Sequence, residues 1–211
     1  MISQKLFSVR LCKRLLLAAA IGIVIVALYR SVRDELHRKT IMAFGLTGYQ
    51  HIGPNFNIAE FYVNGYDGSN VGREGGGGSK VCCVVLPKKW RPGLVVEVRW
   101  AVGDWSKENR AEINAQNYKS ITYTCFKARV PVEKYETVGR VFVHFFPGGK
   151  VRVVSSAISV LGSLHPVQRN DPHAADTATS GQRIGAIFSD AEIAEMRHEQ
   201  ENPKHFFGDW R

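Results

Sequence analysis

Apolar and polar side chains alternate along several short segments in the middle of the chain, and such alternation is typical of half-buried β-strands. Along residues 94–102, for example, Val98 and Trp100 share one face. Arg99, which lies between them, points to the opposite face. Strands are predicted at 58–63, 81–86, 94–102, 118–130, 138–146 and 150–155.

Turn and cap signals mark the ends of these segments. Asn64 and Gly65 follow the first strand, and a Pro-Gly-Gly turn at 147–149 indicates a hairpin. Ser189 and Glu192 have the spacing of a capping box, which predicts a C-terminal helix. Six or seven strands, mostly linked by hairpins, indicate a mainly β or α+β domain. The predicted fold is an antiparallel β-sandwich-like domain with a C-terminal helix.

Two further segments have weaker patterns. Residues 41–59 mix apolar residues with glycines and a proline, and we expect irregular structure around a first strand there. Residues 106–116 are polar and fit either a short helix or a loop.

The N-terminal region contains an uncharged apolar run at 15–29 with basic residues on both sides. Snorkelling basic side chains extend such a run toward the length of a membrane span. Tyr29 occupies a position where a signal peptidase would need a small residue, so we predict an uncleaved anchor. The alternative is a buried core helix. The predicted organisation is a basic cytoplasmic N-terminus at 1–14, a transmembrane anchor at 15–30, a juxtamembrane stalk at 31–40 and a periplasmic β-rich binding domain at 41–211.

The net charge of +9 is concentrated beside this apolar run. Residues 1–39 hold eight Lys/Arg and two Asp/Glu, whereas residues 40–211 hold 20 Lys/Arg and 17 Asp/Glu. Four Lys/Arg lie on each side of the run, and a long C-terminal domain can translocate regardless of charge. We therefore predict a single-pass protein of the inner membrane with its domain in the periplasm, and no nucleic-acid partner.

The four cysteines allow at most one disulfide inside the predicted domain. Cys12 precedes the apolar run and would lie on the cytoplasmic side. Cys82 and Cys83 are neighbours on a strand, so only one of them can point toward Cys125. All three are disulfide candidates. The alternative is that they are small buried hydrophobic residues.

No complete catalytic or metal-binding motif is present in the sequence. Gly78-Ser79-Lys80 reverses the order of a phosphate-binding loop, and a β-rich segment follows it instead of a helix. We therefore interpret the glycine-rich residues 65–80 as a flexible loop. A histidine four positions from His198 is missing, so no zinc-protease motif forms there. A strand histidine such as His144 is interpreted as a packed residue. We predict no enzyme activity, no cofactor and no metal.

Candidate partner-binding residues concentrate in the glycine-rich loop and at the end of one strand. Aromatic and arginine side chains dominate the energetics of protein interfaces. The candidates are Tyr66, Asp67, Asn70, Arg73, Glu74, Asp104 and Trp105. The alternative interpretation is that the charged loop is merely solvated and that Trp90 and Trp100 belong to the core.

Three segments together resemble a known bacterial family. They are FYVNGYDGSN, CCVVLPKKWRPGLVVEVRW after the glycine-rich break, and VPVEKY at 130–135. The resemblance covers roughly residues 48–155 and is to small envelope proteins of formally unknown function. Some members are encoded beside phospholipase effectors of the type VI secretion system and act as their immunity proteins. Unlike the lipoprotein members, this chain has no lipidation cysteine after its apolar run.

The resemblance implies an immunity protein that binds a phospholipase toxin in the periplasm and blocks its active site or its access to lipid. The family supplies no catalytic residues. The alternatives are a structural or accessory envelope protein that binds another secretion or cell-wall component, and an unrecognised hydrolase.

Overall fold

A computed structural model describes residues 22–30, 32, 40–76, 81–136 and 139–201. Residues 22–30 are helical. No helix within these ranges is both long and apolar enough to cross a membrane. Residues 15–21 of the predicted anchor lie outside the described residues.

The chain divides into two units. One comprises Met1–Met42 with Leu86–Lys88, and the other comprises Ala43–Val85 with Lys89–Arg211. The predicted boundaries at 14, 30 and 40 stay predictions.

The described part of the chain contains ten strands and, after residue 40, two helices. The strands are β1 (Ile41–Gln50), β2 (Phe56–Val63), β3 (Tyr66–Asp67), β4 (Val81–Pro87), β5 (Val95–Asp104), β6 (Thr122–Pro131), β7 (Arg140–Phe146), β8 (Lys150–Ser156), β9 (Thr179–Ser180) and β10 (Gln182–Ile184). A short helix, α1 (Arg110–Asn114), follows β5, and α2 (Asp190–Glu201) follows β10.

The strands form two five-stranded sheets. The order in the first sheet is β4-β1-β7-β8-β9, and the order in the second sheet is β10-β6-β5-β2-β3. The mainly β prediction is confirmed, but the fold is not wholly antiparallel. β1 pairs with β7 in parallel, with Leu46 opposite Val141. A parallel pair needs a long connection, and here β2 to β6 separate the two strands in the chain.

The core between the sheets is built from large aromatic side chains. Phe61 of β2 and Trp100 of β5 contact Phe145 of β7, with ring centroids 5.3 and 5.9 Å apart. Trp100 also stacks on Phe126 at 5.4 Å. Trp100 is fully buried, as the core interpretation of this residue expected.

The described part of the glycine-rich segment is packed, and the prediction of a flexible loop is wrong there. Residues 66–76, which we call the strap, run back along the edge of β2. The Gly68 N–H donates to Phe61 O at 2.8 Å, and the Val71 N–H donates to Ile58 O at 2.9 Å. Residues 77–80 lie outside the described residues. Hydrogen bonding to a strand edge therefore orders a segment whose composition alone suggested flexibility.

Glycine is needed where the strap approaches the core. A Cβ at Gly68 would lie 2.1 Å from the Phe61 ring. A Cβ at Gly48 of β1 would lie 2.4 Å from the Val71 side chain of the strap. Both positions bring backbone against side chain at distances that no larger residue allows.

The long segment between β8 and β9 covers the outer face of the first sheet. Val167 and Ala174 of this segment pack on Phe142, Phe146 and Val154 and form a second, smaller core. A segment without helix or strand is thus held by apolar burial on the sheet.

The C-terminal helix packs on the second sheet through polar contacts. The Ser189 N–H donates to Glu192 Oε2 at 2.8 Å, and the Glu192 N–H donates to Ser189 Oγ at 3.3 Å, which confirms the capping box. Arg99 of β5 donates to Glu192 at 2.7 Å and to Ile187 O at 2.9 Å. Arg99 therefore links the start of α2 to the middle strand of the sheet.

We predict that Gly68→Ala lowers the free energy of unfolding by about 1–3 kcal/mol, because the added methyl overpacks the Phe61 ring. Gly76→Ala is the matched control, since a Cβ there has no atom within 4 Å. Urea unfolding of both variants measures the difference. Equal effects of the two substitutions would show that the strap is not packed as described.

Candidate binding site

The structure separates the sequence-predicted binding residues along the strap. Tyr66 and Asp67 form β3 and pair with the C-terminal end of β2, where Tyr66 lies opposite Val63. Further along the strap, Val71 is bridged to Ile58. Val63 and Ile58 are five residue steps apart on β2, which corresponds to roughly 16 Å along the strand. Tyr66 and Asp67 therefore do not share a site with the residues that follow Val71.

Two other predicted residues come together beyond that point. The Arg73 guanidinium lies over the Trp105 ring, 5.4 Å from its centroid. Arg73 also pairs with Glu108 at 2.7 Å and donates to Pro54 O at 2.7 Å. The Trp105 indole N–H donates to Asn57 Oδ1 at 2.8 Å. Both side chains are thus held in one orientation.

A glycine makes room for this indole on the outer face of the second sheet. Gly103 lies opposite Asn57 on one side and Tyr123 on the other. A Cβ at Gly103 would lie 2.3 Å from Asn57 Oδ1 and 3.3 Å from Trp105 Nε1. Trp105 can therefore fold back over its own strand only because residue 103 is glycine.

Two tyrosines that sequence reasoning missed complete the patch. Tyr118 contacts Trp105 edge to face with centroids 6.3 Å apart, and Tyr123 flanks Gly103. Tyr118 is 47% exposed and Tyr123 is 51% exposed. We call Arg73, Trp105, Tyr118 and Tyr123 the aromatic surface. The alternation of β6 identifies the outward direction of Tyr123, but not the neighbours that it meets there.

The remaining predicted residues, Asp104, Asn70 and Glu74, lie outside the aromatic surface. Asp104 accepts a hydrogen bond from the Ser106 N–H at 2.9 Å, and hydrogen bonding from Ser106 lowers the pKa of its carboxyl group. Asp104 therefore caps a turn. Asn70 and Glu74 are exposed. Asn70 lies in the middle of the strap, and Glu74 lines a cleft.

The cleft lies beside Arg73 and has a volume of about 250 Å³. Its lining includes Tyr49, His51, Arg73, Glu74, Arg169 and Asn170. Because Arg73 belongs to both, the cleft and the aromatic surface are neighbours on the same unit of the chain.

A chain of three histidines runs inward from this cleft. His51 Nε2 lies 3.0 Å from His144 Nδ1, and His144 Nε2 lies 3.1 Å from His165 Nε2. His165 Nδ1 lies 2.9 Å from Ile158 O. A carbonyl only accepts, so His165 donates from Nδ1. In the neutral chain His144 then donates to His165, and His51 donates to His144.

Burial keeps this histidine chain neutral. It lowers the pKa of His51 from 6.5 to about 4, and it lowers the pKa values of His144 and His165. Phe146 stacks on the His51 ring at 4.6 Å. Arg152, opposite His144 on β8, further disfavours the charged imidazoles, although Glu133 pairs with this arginine at 2.6 Å.

His144 is both packed and hydrogen-bonded. Its ring is fully buried, as expected of a packed residue, but both of its nitrogens bond to other histidines. Sequence spacing could not indicate this, because the three histidines lie in three distant segments. Across the described ranges, no group of three His, Cys, Asp or Glu residues has an arrangement that could hold a metal ion.

The cysteines are arranged differently from the prediction. Cys83 is disulfide-bonded, whereas Cys125 is a free thiol. Of the three disulfide candidates, Cys83 is therefore confirmed, whereas the expectation for Cys125 is wrong. Cys125 belongs to β6 and pairs with Ala101 and Ile184 on the neighbouring strands. Partial burial raises the pKa of its thiol.

We predict that the protein loses stability as the pH falls from 6.5 toward 4.5. Unfolded histidines bind protons near pH 6.5, whereas His51 in the folded state does so only near pH 4. Protons therefore favour the unfolded state in this window, and the free energy of unfolding falls by on the order of 1–2 kcal/mol after allowance for solvent screening. Carboxylates with a lowered pKa, such as Glu192, lose their contribution to stability mainly below their ordinary pKa of 4.5.

Urea unfolding at several pH values measures this loss. His51→Gln reduces it, whereas His173→Gln, a change at an exposed histidine paired with Asp176, leaves it unchanged. A flat stability profile for the unmodified protein across this window would contradict the neutral histidine chain.

The central part of the chain matches a family model. The comparisons with curated proteins and with solved structures found no match. Residues 54–153 match a family model described as a protein of unknown function (DUF3304). The matched range includes Arg73, Trp105, Tyr118 and Tyr123. This description carries no link to type VI immunity proteins.

Proposed function

We propose that this protein is an immunity protein that binds a type VI secretion phospholipase effector and neutralises it. The observation that carries the proposal is the aromatic surface. Tryptophan, tyrosine and arginine are the residues most enriched among those that dominate binding energy at protein interfaces. The sequence resemblance to envelope proteins with immunity members supplies the class of partner.

The aromatic surface is preorganised. Trp105 is held by Asn57, and Arg73 is held by Glu108 and by the Pro54 carbonyl. Side chains that are already ordered lose less conformational entropy when a partner binds. Immunity proteins must bind tightly, and preorganisation raises affinity without enlarging the interface.

The surface suits a blocking role. Tyr118 and Tyr123 present exposed ring surface beside the half-buried indole of Trp105. An apolar and aromatic patch with a cation at its edge is complementary to the apolar rim through which a phospholipase receives a lipid chain. Binding at such a rim would prevent the enzyme from reaching the bilayer.

The predicted anchor at 15–30 would add a second contribution. A membrane tether confines the binding domain to the surface that the toxin attacks, which raises the effective concentration of the inhibitor. In this proposal the domain lies on the periplasmic face of the inner membrane.

The experiment is an inhibition assay with the full-length chain. Purified type VI phospholipase effectors are assayed on phospholipid vesicles with increasing amounts of this protein. We expect one effector to lose its activity at an equimolar ratio. If every effector tested retains full activity in the presence of excess protein, the proposal fails.

We predict that Trp105→Ala and Tyr123→Ala each weaken binding of that effector, with a loss of roughly 30-fold for a dominant residue at about 2 kcal/mol. Tyr66→Ala is the matched control, because Tyr66 is an exposed tyrosine at the far end of the strap. Calorimetric titration measures the affinities, and circular dichroism checks the fold. A loss for Tyr66→Ala with none for the other two would move the interface to β3.

A further inference from the structure

The walls of the cleft beside His51 are held in place by one buried amide. Gln50 donates from Nε2 to Arg73 O at 2.8 Å and to Gly53 O at 3.2 Å. Its Oε1 accepts from the Ile52 N–H at 2.7 Å. The amide thus ties the strap to the turn after β1. The cleft is preformed, as small-molecule sites commonly are.

The lining of the cleft contains two arginines and one carboxylate. Arg73 and Arg169 line it, and Glu74 is the one carboxylate residue among the lining side chains. Arg73 is paired with Glu108. Within the described ranges, no hydrogen bond or ion pair engages the Arg169 guanidinium. Arg169 is therefore a cation at the cleft that is ready to pair with an anion.

The histidine chain lacks one proton at its cleft end. Three neutral imidazoles have three N–H groups, and the bonds from His51 to His144, from His144 to His165 and from His165 to Ile158 O use all of them. His51 Nδ1 is therefore left with a lone pair, although the backbone of Arg169 lies within hydrogen-bonding reach of the His51 ring and favours its protonated form. One additional proton taken from solvent would convert this acceptor into a donor to the Arg169 backbone carbonyl without breaking any of the three bonds, and it would place a positive charge beside the cleft.

We propose that this cleft binds a small oxyanion between Arg169 and His51, and that binding is coupled to the uptake of one proton by the histidine chain. The ligand class is a sulfate-like or phosphate-like group. The proposal is independent of the proposed function, because it uses the cleft and not the aromatic surface.

The charges around the chain explain why the proton arrives with the anion. A hydrogen bond to the Arg169 backbone favours a positive His51, whereas the charges of Arg152 and Arg169 disfavour it, and Glu133 favours a positive His165. Tyr49 faces His51 with its ring edge and carries no counter-charge for it. An anion beside His51 supplies the missing counter-charge and raises the pKa of its imidazole. Protonation and anion binding therefore reinforce each other.

The test is a titration of the full-length protein with inorganic sulfate, whose own charge does not change in the pH range used. Binding is followed by the NMR signals of the histidine rings at about pH 7.5 and about pH 5.5, on either side of the ordinary histidine pKa. We expect saturable binding that is several-fold tighter at the lower pH, with a shift of the His51 signals toward the protonated form.

Two variants and one control assign the effect. Arg169→Gln removes the cation, and we expect at least a tenfold loss of sulfate affinity. His51→Gln retains weak binding but loses its pH dependence. Arg183→Gln, a change at an exposed arginine on β10, leaves both unchanged. Absence of saturable binding, or binding that Arg169→Gln does not weaken, overturns the site. Binding without pH dependence overturns the coupling.

A phosphate group could come from a lipid headgroup or from a soluble metabolite. A soluble glycerophosphodiester and a phosphate monoester are compared in the same titration. Tighter binding of the diester assigns the site to a headgroup, and tighter binding of the monoester assigns it to a free phosphate. Both results support the site.

Discussion

The close contact of the strap with the core is the constraint on which the candidate sites depend. Gly68 lies against the Phe61 ring with no space for a side chain, and Val71 lies against Gly48 in the same way. These contacts hold a polar, glycine-rich segment along the edge of β2. As a result, Arg73 has a defined position at the end of the strap, where it stacks on Trp105 and borders the cleft.

Much of the fold could be predicted from local patterns. The alternation in 94–102 identified β5, and the spacing of Ser189 and Glu192 identified the start of α2. The parallel pairing of β1 with β7 could not be predicted, because it joins segments almost a hundred residues apart. The strap was mistaken for a flexible loop, since composition does not reveal that a neighbouring strand edge is open to accept it.

The candidate site was only partly predictable for the same reason. Arg73 and Trp105 were selected by residue type, and tertiary structure brings them together. The distances between His51, His144 and His165 follow from the packing of a long segment on the first sheet, and no motif encodes them. The predicted role of Cys125 failed because strand alternation gives the face of a cysteine but not its distance from another cysteine.

The β domain carries two candidate binding features that share Arg73. The aromatic surface suits a protein partner, because its side chains are fixed and partly exposed. The cleft suits a small anion, because it combines a proton-accepting imidazole with the Arg169 guanidinium, which has no partner in the part of the chain that the structure describes. Both features use groups that are held in place before any ligand arrives, which lowers the entropic cost of binding.

The central claim is that the aromatic surface binds a phospholipase effector. Hydrogen exchange of the full-length protein, with and without the effector that it inhibits, tests this claim most directly. The account predicts slowed exchange at the amides of residues 103–106 and 118–124, with none at residues 62–67. Protection confined to β3 and the adjoining end of β2, or no protection anywhere, would contradict it.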